Sequence, residues 1–227
     1  MKTAILVDGG FYRKRALSMI GDVSATKRAD ELYSYCQRHV QRREGNNELY
    51  RVFYYDCLPA SIQIYHPFLK KPIDFSKTDL FAWSTTFINE LKKKRKFAIR
   101  LGKLAVEQAH YAIRPKIVKK LCNNRINFDD LTENDFMLCL DQKGVDMKIG
   151  LDIATLAFKK QVDQIILISG DSDFVPAAKL ARREGIDFIL DPLYSQIKPD
   201  LFEHIDGLRT CDQRFKPKEY KTEEANH

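Results

Sequence analysis

Apolar residues along this chain fall into two patterns. Short unbroken runs occur at Ala4-Ile5-Leu6-Val7 and Ile165-Ile166-Leu167-Ile168, and less purely at Leu49 to Tyr55, Phe97 to Leu101, Phe136 to Leu140 and Ile186 to Leu190. Continuous runs of that length suit strands buried on both faces. Between them, apolar positions recur every three or four residues, which predicts amphipathic helices. Leu32, Tyr35, Cys36, His39 and Val40 place one helix at about 29–42, broken by Gly45-Asn46-Asn47. Leu80, Phe81, Ser84, Phe87, Ile88 and Leu91 mark a second, ending in the basic run Lys92–Lys96, which complements the negative end of the helix dipole. Ile149, Ile153, Leu156 and Ala157 place a third over Val145 to Lys160, and a fourth runs from Phe174 to Glu184, stopped by Gly185.

Strands alternating with helices imply an α/β fold: a Rossmann-like, three-layer parallel sheet with helices on both faces. One domain is expected over 1–211, irregular at about 105–134, where the sequence is polar, Asn-rich and weakly periodic. Residues 212–227 are polar without periodicity and read as a mobile tail. No segment approaches the ~20 apolar residues of a membrane span, and the first apolar run is too short for a signal peptide.

Charge and cysteine usage narrow the picture. The 227 residues carry a formal net charge of +7, a balance that suits a polyanionic partner through counterion release. Five scattered cysteines without CxxC spacing argue against a disulfide framework or zinc site and for a reducing, cytoplasmic setting.

The candidate chemistry lies at strand ends. In an open parallel sheet, ligands bind where loops leave the carboxyl ends of strands. Asp8 follows the first apolar run and Asp171 and Asp173 follow the later one, while Asp146 opens the third helix. Carboxylates brought together repel: at ~5 Å and an effective dielectric of ~20, each pair costs roughly 3 kcal/mol. A hard cation, Mg²⁺ or Mn²⁺, relieves that cost and suits a phosphate substrate. Asp152, six residues after Asp146, falls on a different helical face and is a supporting candidate, as is Ser169. Arg13 and Lys14 after Asp8, and Lys143 and Lys148 around Asp146, are candidates for contacting phosphate.

Three stretches resemble one family. Ile5-Leu6-Val7-Asp8-Gly9-Gly10, Lys143-Gly144-Val145-Asp146-Met147-Lys148 with Asp152, and Ser169-Gly170-Asp171-Ser172-Asp173-Phe174 look like NYN domains of the PIN-like nuclease group, closest to the LabA-like branch. That resemblance implies a PIN-like sheet, an acidic Mg²⁺ or Mn²⁺ site with Asp8, Asp146, Asp171 and Asp173 as catalytic and metal-binding residues, and RNA as substrate. Where many NYN domains carry Asn shortly after the first Asp, this chain has Gly10-Phe11, which keeps a non-catalytic RNA-binding or regulatory module as the alternative. A HAD-like phosphatase needs an acid two residues after its nucleophilic Asp, and Gly10 disfavours it. A homo-oligomer is compatible with an open sheet.

Overall fold

The computed structural model describes residues 1–41 and 47–217. In chain order the elements are β1 (Lys2–Asp8), α1 (Gly9–Ile20), α2 (Ala25–Gln41), β2 (Glu48–Asp56), β3 (Gln63–His66), β4 (Lys71–Asp74), α3 (Asp79–Lys92), β5 (Phe97–Leu101), β6 (Lys103–Leu104), β7 (His110–Ile113), α4 (Pro115–Cys122), β8 (Phe136–Cys139), β9 (Gln142–Lys143), α5 (Val145–Phe158), β10 (Gln164–Ile168), α6 (Val175–Arg183), β11 (Asp187–Asp191), α7 (Pro199–Glu203) and β12 (Gly207–Leu208). They divide into two compact units, where the sequence pattern predicts one domain.

The first unit comprises residues 1–57, 86–102 and 144–227. Its sheet has six parallel strands in the order β12-β11-β10-β1-β2-β5. From β1 the chain moves outward through β2 to β5, then returns across the sheet to β10 and moves the other way to β11. Right-handed crossovers therefore put α1 and α2 on one face and α5 and α6 on the other. The two directions of winding part between β1 and β10, which is the topological switch point of the sheet. Ala4 to Val7 and Ile165 to Ile168 are wholly buried, because a strand covered by helices on both faces needs apolar side chains at every position.

The second unit comprises residues 58–85 and 103–143. Antiparallel pairs β3/β4, β7/β8 and β6/β9 build it, and His66, buried, lies 4.2 Å from the Tyr111 ring and 5.7 Å from Phe136 between centroids. The segment at 105–134 is thus not irregular throughout: it holds β7 and the amphipathic α4. Elements of two to eight residues give too short a window for periodicity to register.

The C-terminal boundary also shifts. Residues 212–217 belong to the fold: Gln213–Phe215 form a 3₁₀ turn capped by Asp212, and Phe215, 1% exposed, meets the Tyr35 ring edge-on at 5.7 Å. The remainder of the expected tail, 218–227, and residues 42–46 lie outside the described residues. All five cysteines are free. Among the described residues no helix is long and apolar enough to cross a membrane.

Candidate functional site

The register of β1 against β10 sets the site. Val7 pairs with Ile168, so the next residues, Asp8 and Ser169, leave the sheet side by side at the switch point. Asp8 ends β1 and caps α1, its Oδ1 accepting the Phe11 N–H (3.0 Å). The Ser169 hydroxyl donates to Asp8 Oδ2 (3.2 Å), and the Asp171 N–H donates to Ser169 Oγ (3.2 Å). Asp171 caps the 3₁₀ turn Ser172–Phe174, accepting the Asp173 N–H at 3.0 Å. Two glycines make the close approach possible. A Cβ on Gly9 would lie 2.4 Å from Tyr54 Oη and 2.6 Å from the Tyr55 carbonyl oxygen, and one on Gly170 would lie 2.7 Å from the Phe11 ring.

The acids sense one another. Burial pushes the Asp8 carboxyl above its ordinary range; the Phe11 and Ser169 hydrogen bonds oppose that, while the charges of Asp146 and Asp56 add to it. Desolvation, then the charges of Asp171 and Asp173, push Asp146 up from the first turn of α5. Asp146 and Asp173 also share the walls of a cavity of about 380 Å³ between α5, the 3₁₀ turn and α6. Among the described residues no Lys or Arg forms an ion pair with Asp8, Asp146, Asp171 or Asp173. Nor, among the described residues, do three or more His, Cys, Asp or Glu side chains converge as a group able to hold a metal ion.

Other candidates are engaged elsewhere. Asp152 accepts from Tyr55 Oη (2.7 Å) and Arg100 Nε (3.1 Å), so it braces α5 against β2 and β5 instead of supporting the acids at the switch point. Arg13 is held by Asp56 in a bidentate pair, both bonds 2.9 Å, which takes its guanidinium from the role of free phosphate ligand. Lys14 and Lys148 are exposed on α1 and α5. Lys143 belongs to β9 in the second unit, where its Nζ donates to Gln108 Oε1 (3.4 Å).

Sequence reasoning passed over three residues of this rim. Asp56, 1% exposed at the end of β2, accepts from Arg13, from Tyr54 Oη (2.7 Å) and from the Cys57 N–H (2.8 Å). Asp191, wholly buried at the end of β11, bonds Tyr35, His39 (2.8 Å), Thr210 Oγ1 (2.7 Å) and the Leu193 N–H (2.9 Å). Both stand where an apolar run meets an aspartate, the same signal that marks Asp8. Lys198, whose Nζ donates to Ser172 Oγ (3.0 Å), carries no comparable mark in the sequence.

The profile of the NYN domain family matches residues 81–197, just over half of the chain. The chain belongs to the NYN domain family. NYN domains are in general PIN-like nucleases. The matched stretch contains Asp146, Ser169, Asp171 and Asp173 but stops short of Asp8, which strand register and the Ser169 hydrogen bond bring beside them. Among solved structures, the chain is similar to a protein of unknown function from Vibrio parahaemolyticus, at 17% identity over 94% of each chain with a TM-score of 0.48. No curated protein matches.

Proposed function

We propose that this NYN domain is a Mg²⁺- or Mn²⁺-dependent ribonuclease acting at the switch point between β1 and β10, with Asp8, Asp146, Asp171 and Asp173 as its metal-binding and catalytic residues. The observation that carries the reading is the Ser169 bridge between Asp8 and the Asp171 backbone, with the charge of Asp146 bearing on Asp8 and those of Asp171 and Asp173 bearing on Asp146, and no Lys or Arg in an ion pair with any of the four among the described residues. A divalent cation would offset the repulsion within such a set. The donor chemistry fits: all ligands are carboxylate oxygens, which select hard cations over zinc or copper. Held by these carboxylates, such an ion would activate a water and stabilise the leaving oxygen.

The chain's own groups do the rest. Ser169 orients Asp8 by donating to Oδ2, leaving the Oδ1 edge to the helix cap. Lys198, beside Ser172, with Lys14 and Lys148, supplies positive charge for the phosphate backbone. The LabA-like branch is proposed on all three motifs, at 5–10, at 143–148 with Asp152, and at 169–174.

The test is cleavage of a mixed RNA pool by wild type and Asp171→Asn, purified identically, with and without Mg²⁺. Cleavage that needs the ion and drops at least a hundredfold in the variant is expected. Equal degradation by both proteins marks contamination. RNA binding without cleavage by either favours the binding module that Gly10-Phe11 suggests.

A further inference from the structure

Two of the proposed cation ligands also open onto apolar space. Asp146 and Asp173 stand where α5 and the turn into α6 begin, and both wall the cavity of about 380 Å³ between those helices. The rest of its lining is apolar, with Met147, Gly150 and Ala154 on α5 facing Phe174, Pro176 and Leu180. That volume falls within the ~300–1,000 Å³ of small-ligand sites, which are mostly apolar with a few placed polar groups. No other charged side chain lines it. Lys148 falls about half a turn round α5 from Gly150, and the exposed Lys179 of α6 lies outside the lining.

Gly150 keeps the cavity open. It sits in the interior of α5, where glycine is the poorest residue after proline. At Gly9 and Gly170 neighbouring side chains exclude a Cβ, whereas a Cβ on Gly150 would meet nothing within 4 Å. Neither packing nor backbone conformation calls for glycine there. A side chain at that position would occupy the cavity.

A nucleotide answers to both halves of this space. Its phosphate suits a cation between the acids, and its base, carried on the same sugar, reaches the adjoining cavity. Every base has flat π faces, and stacking on them is tolerant of sequence. Met147, 69% exposed, and the exposed Pro176 follow the two acids by one and three residues, so they stand at the acidic end of the cavity.

We infer that the α5/α6 cavity receives the base of the nucleotide whose phosphate lies at the acids. The inference rests on the cation reading of Asp146 and Asp173, and its test separates the two. Adenosine 5′-monophosphate and ribose 5-phosphate differ by the base, and both can be titrated calorimetrically into the full chain with and without Mg²⁺. The monophosphate should bind about fivefold tighter or more, the gain from one stacked base. Gly150→Leu, with the circular-dichroism spectrum of wild type, should bring the monophosphate down to the affinity of ribose 5-phosphate. Gly150→Ala should raise the melting temperature, since its Cβ has room and alanine favours the helix. A lowered melting temperature would show the position packed and overturn the open cavity. Equal binding of the two ligands by wild type overturns the base site and spares the cation site, as does a preference that survives Gly150→Leu. A preference lost in Gly150→Leu but indifferent to Mg²⁺ upholds the base site and overturns the cation reading. Binding of neither ligand overturns both.

Discussion

Asp8 combines two demands that conflict at neutral pH. It caps α1 as a charged acceptor, yet burial and the neighbouring acids hold its carboxyl above the ordinary range. The folded state therefore binds this proton more tightly than the unfolded chain does, and stability falls as pH rises through the interval between the two pKa values. Above that interval the ionised, desolvated group weakens the fold. Asp8→Asn keeps a good capping side chain and removes the charge, so its melting temperature at pH 7 should exceed that of wild type by a few degrees. The gain should vanish below about pH 3.9, the unfolded carboxyl's range. Millimolar Mg²⁺ should raise the wild-type melting temperature at pH 7 and leave the variant unmoved. A variant less stable than wild type at pH 7 would show that the charge is compensated by something other than a cation.

Among the elements, the turn from β1 into α1 is the most constrained. Gly9 starts the helix against the Tyr54 ring, whose hydroxyl is anchored by Asp56, and against the backbone carbonyl of Tyr55 in β2. That ring cannot retreat without breaking its buried hydrogen bond to Asp56, and burial with the same carboxylate keeps the phenol protonated. Gly9→Ala should therefore cost about 1–3 kcal/mol in urea unfolding, the range for a forced overpacking, although alanine is the better helix former. Glycines follow the apolar runs of β1 and β10, in Asp8-Gly9-Gly10 and Ser169-Gly170-Asp171. At Gly9 and Gly170 the structure gives them a packing reason: side chains of neighbouring elements stand where a Cβ would go.

At the scale of the whole molecule, the C-terminal segment closes the first unit. Thr210 bonds Asp191, the Cys211 N–H bonds Tyr35 (3.3 Å), Arg38 pairs with Asp212 (3.0 Å), and Phe215 packs on Tyr35. Composition made this stretch look like a solvated tail, because one buried aromatic among charged neighbours leaves no periodic trace. Phe215→Ala should cost about 3–5 kcal/mol, the usual loss for a buried phenylalanine, measured by chemical denaturation. A loss under ~1 kcal/mol, typical of surface positions, would restore the tail reading. The same blindness hid most of the second unit, where Phe136 to Leu140 alone read as a strand and the others, of two to four residues, leave no repeating pattern.

Local sequence determined five of the six parallel strands, four of the helices and the placing of Asp8 and Asp171 at strand ends, because burial on both faces forces unbroken apolar runs and turns end them with polar residues, whereas α1 and the two-residue β12 left no such mark. Four neighbouring strands, β11, β10, β1 and β2, end in or just before an aspartate, and nothing in the runs themselves tells the four apart. Only the tertiary structure decided that Asp191 and Asp56 are saturated by buried donors, the latter by the very arginine that chain proximity assigns to phosphate, and that Asp152 is taken by Tyr55 and Arg100. What leaves Asp8, Asp146, Asp171 and Asp173 without an ion-pair partner among the described residues is the distribution of donors in space. That distribution follows from which strands lie side by side and where the winding of the sheet reverses.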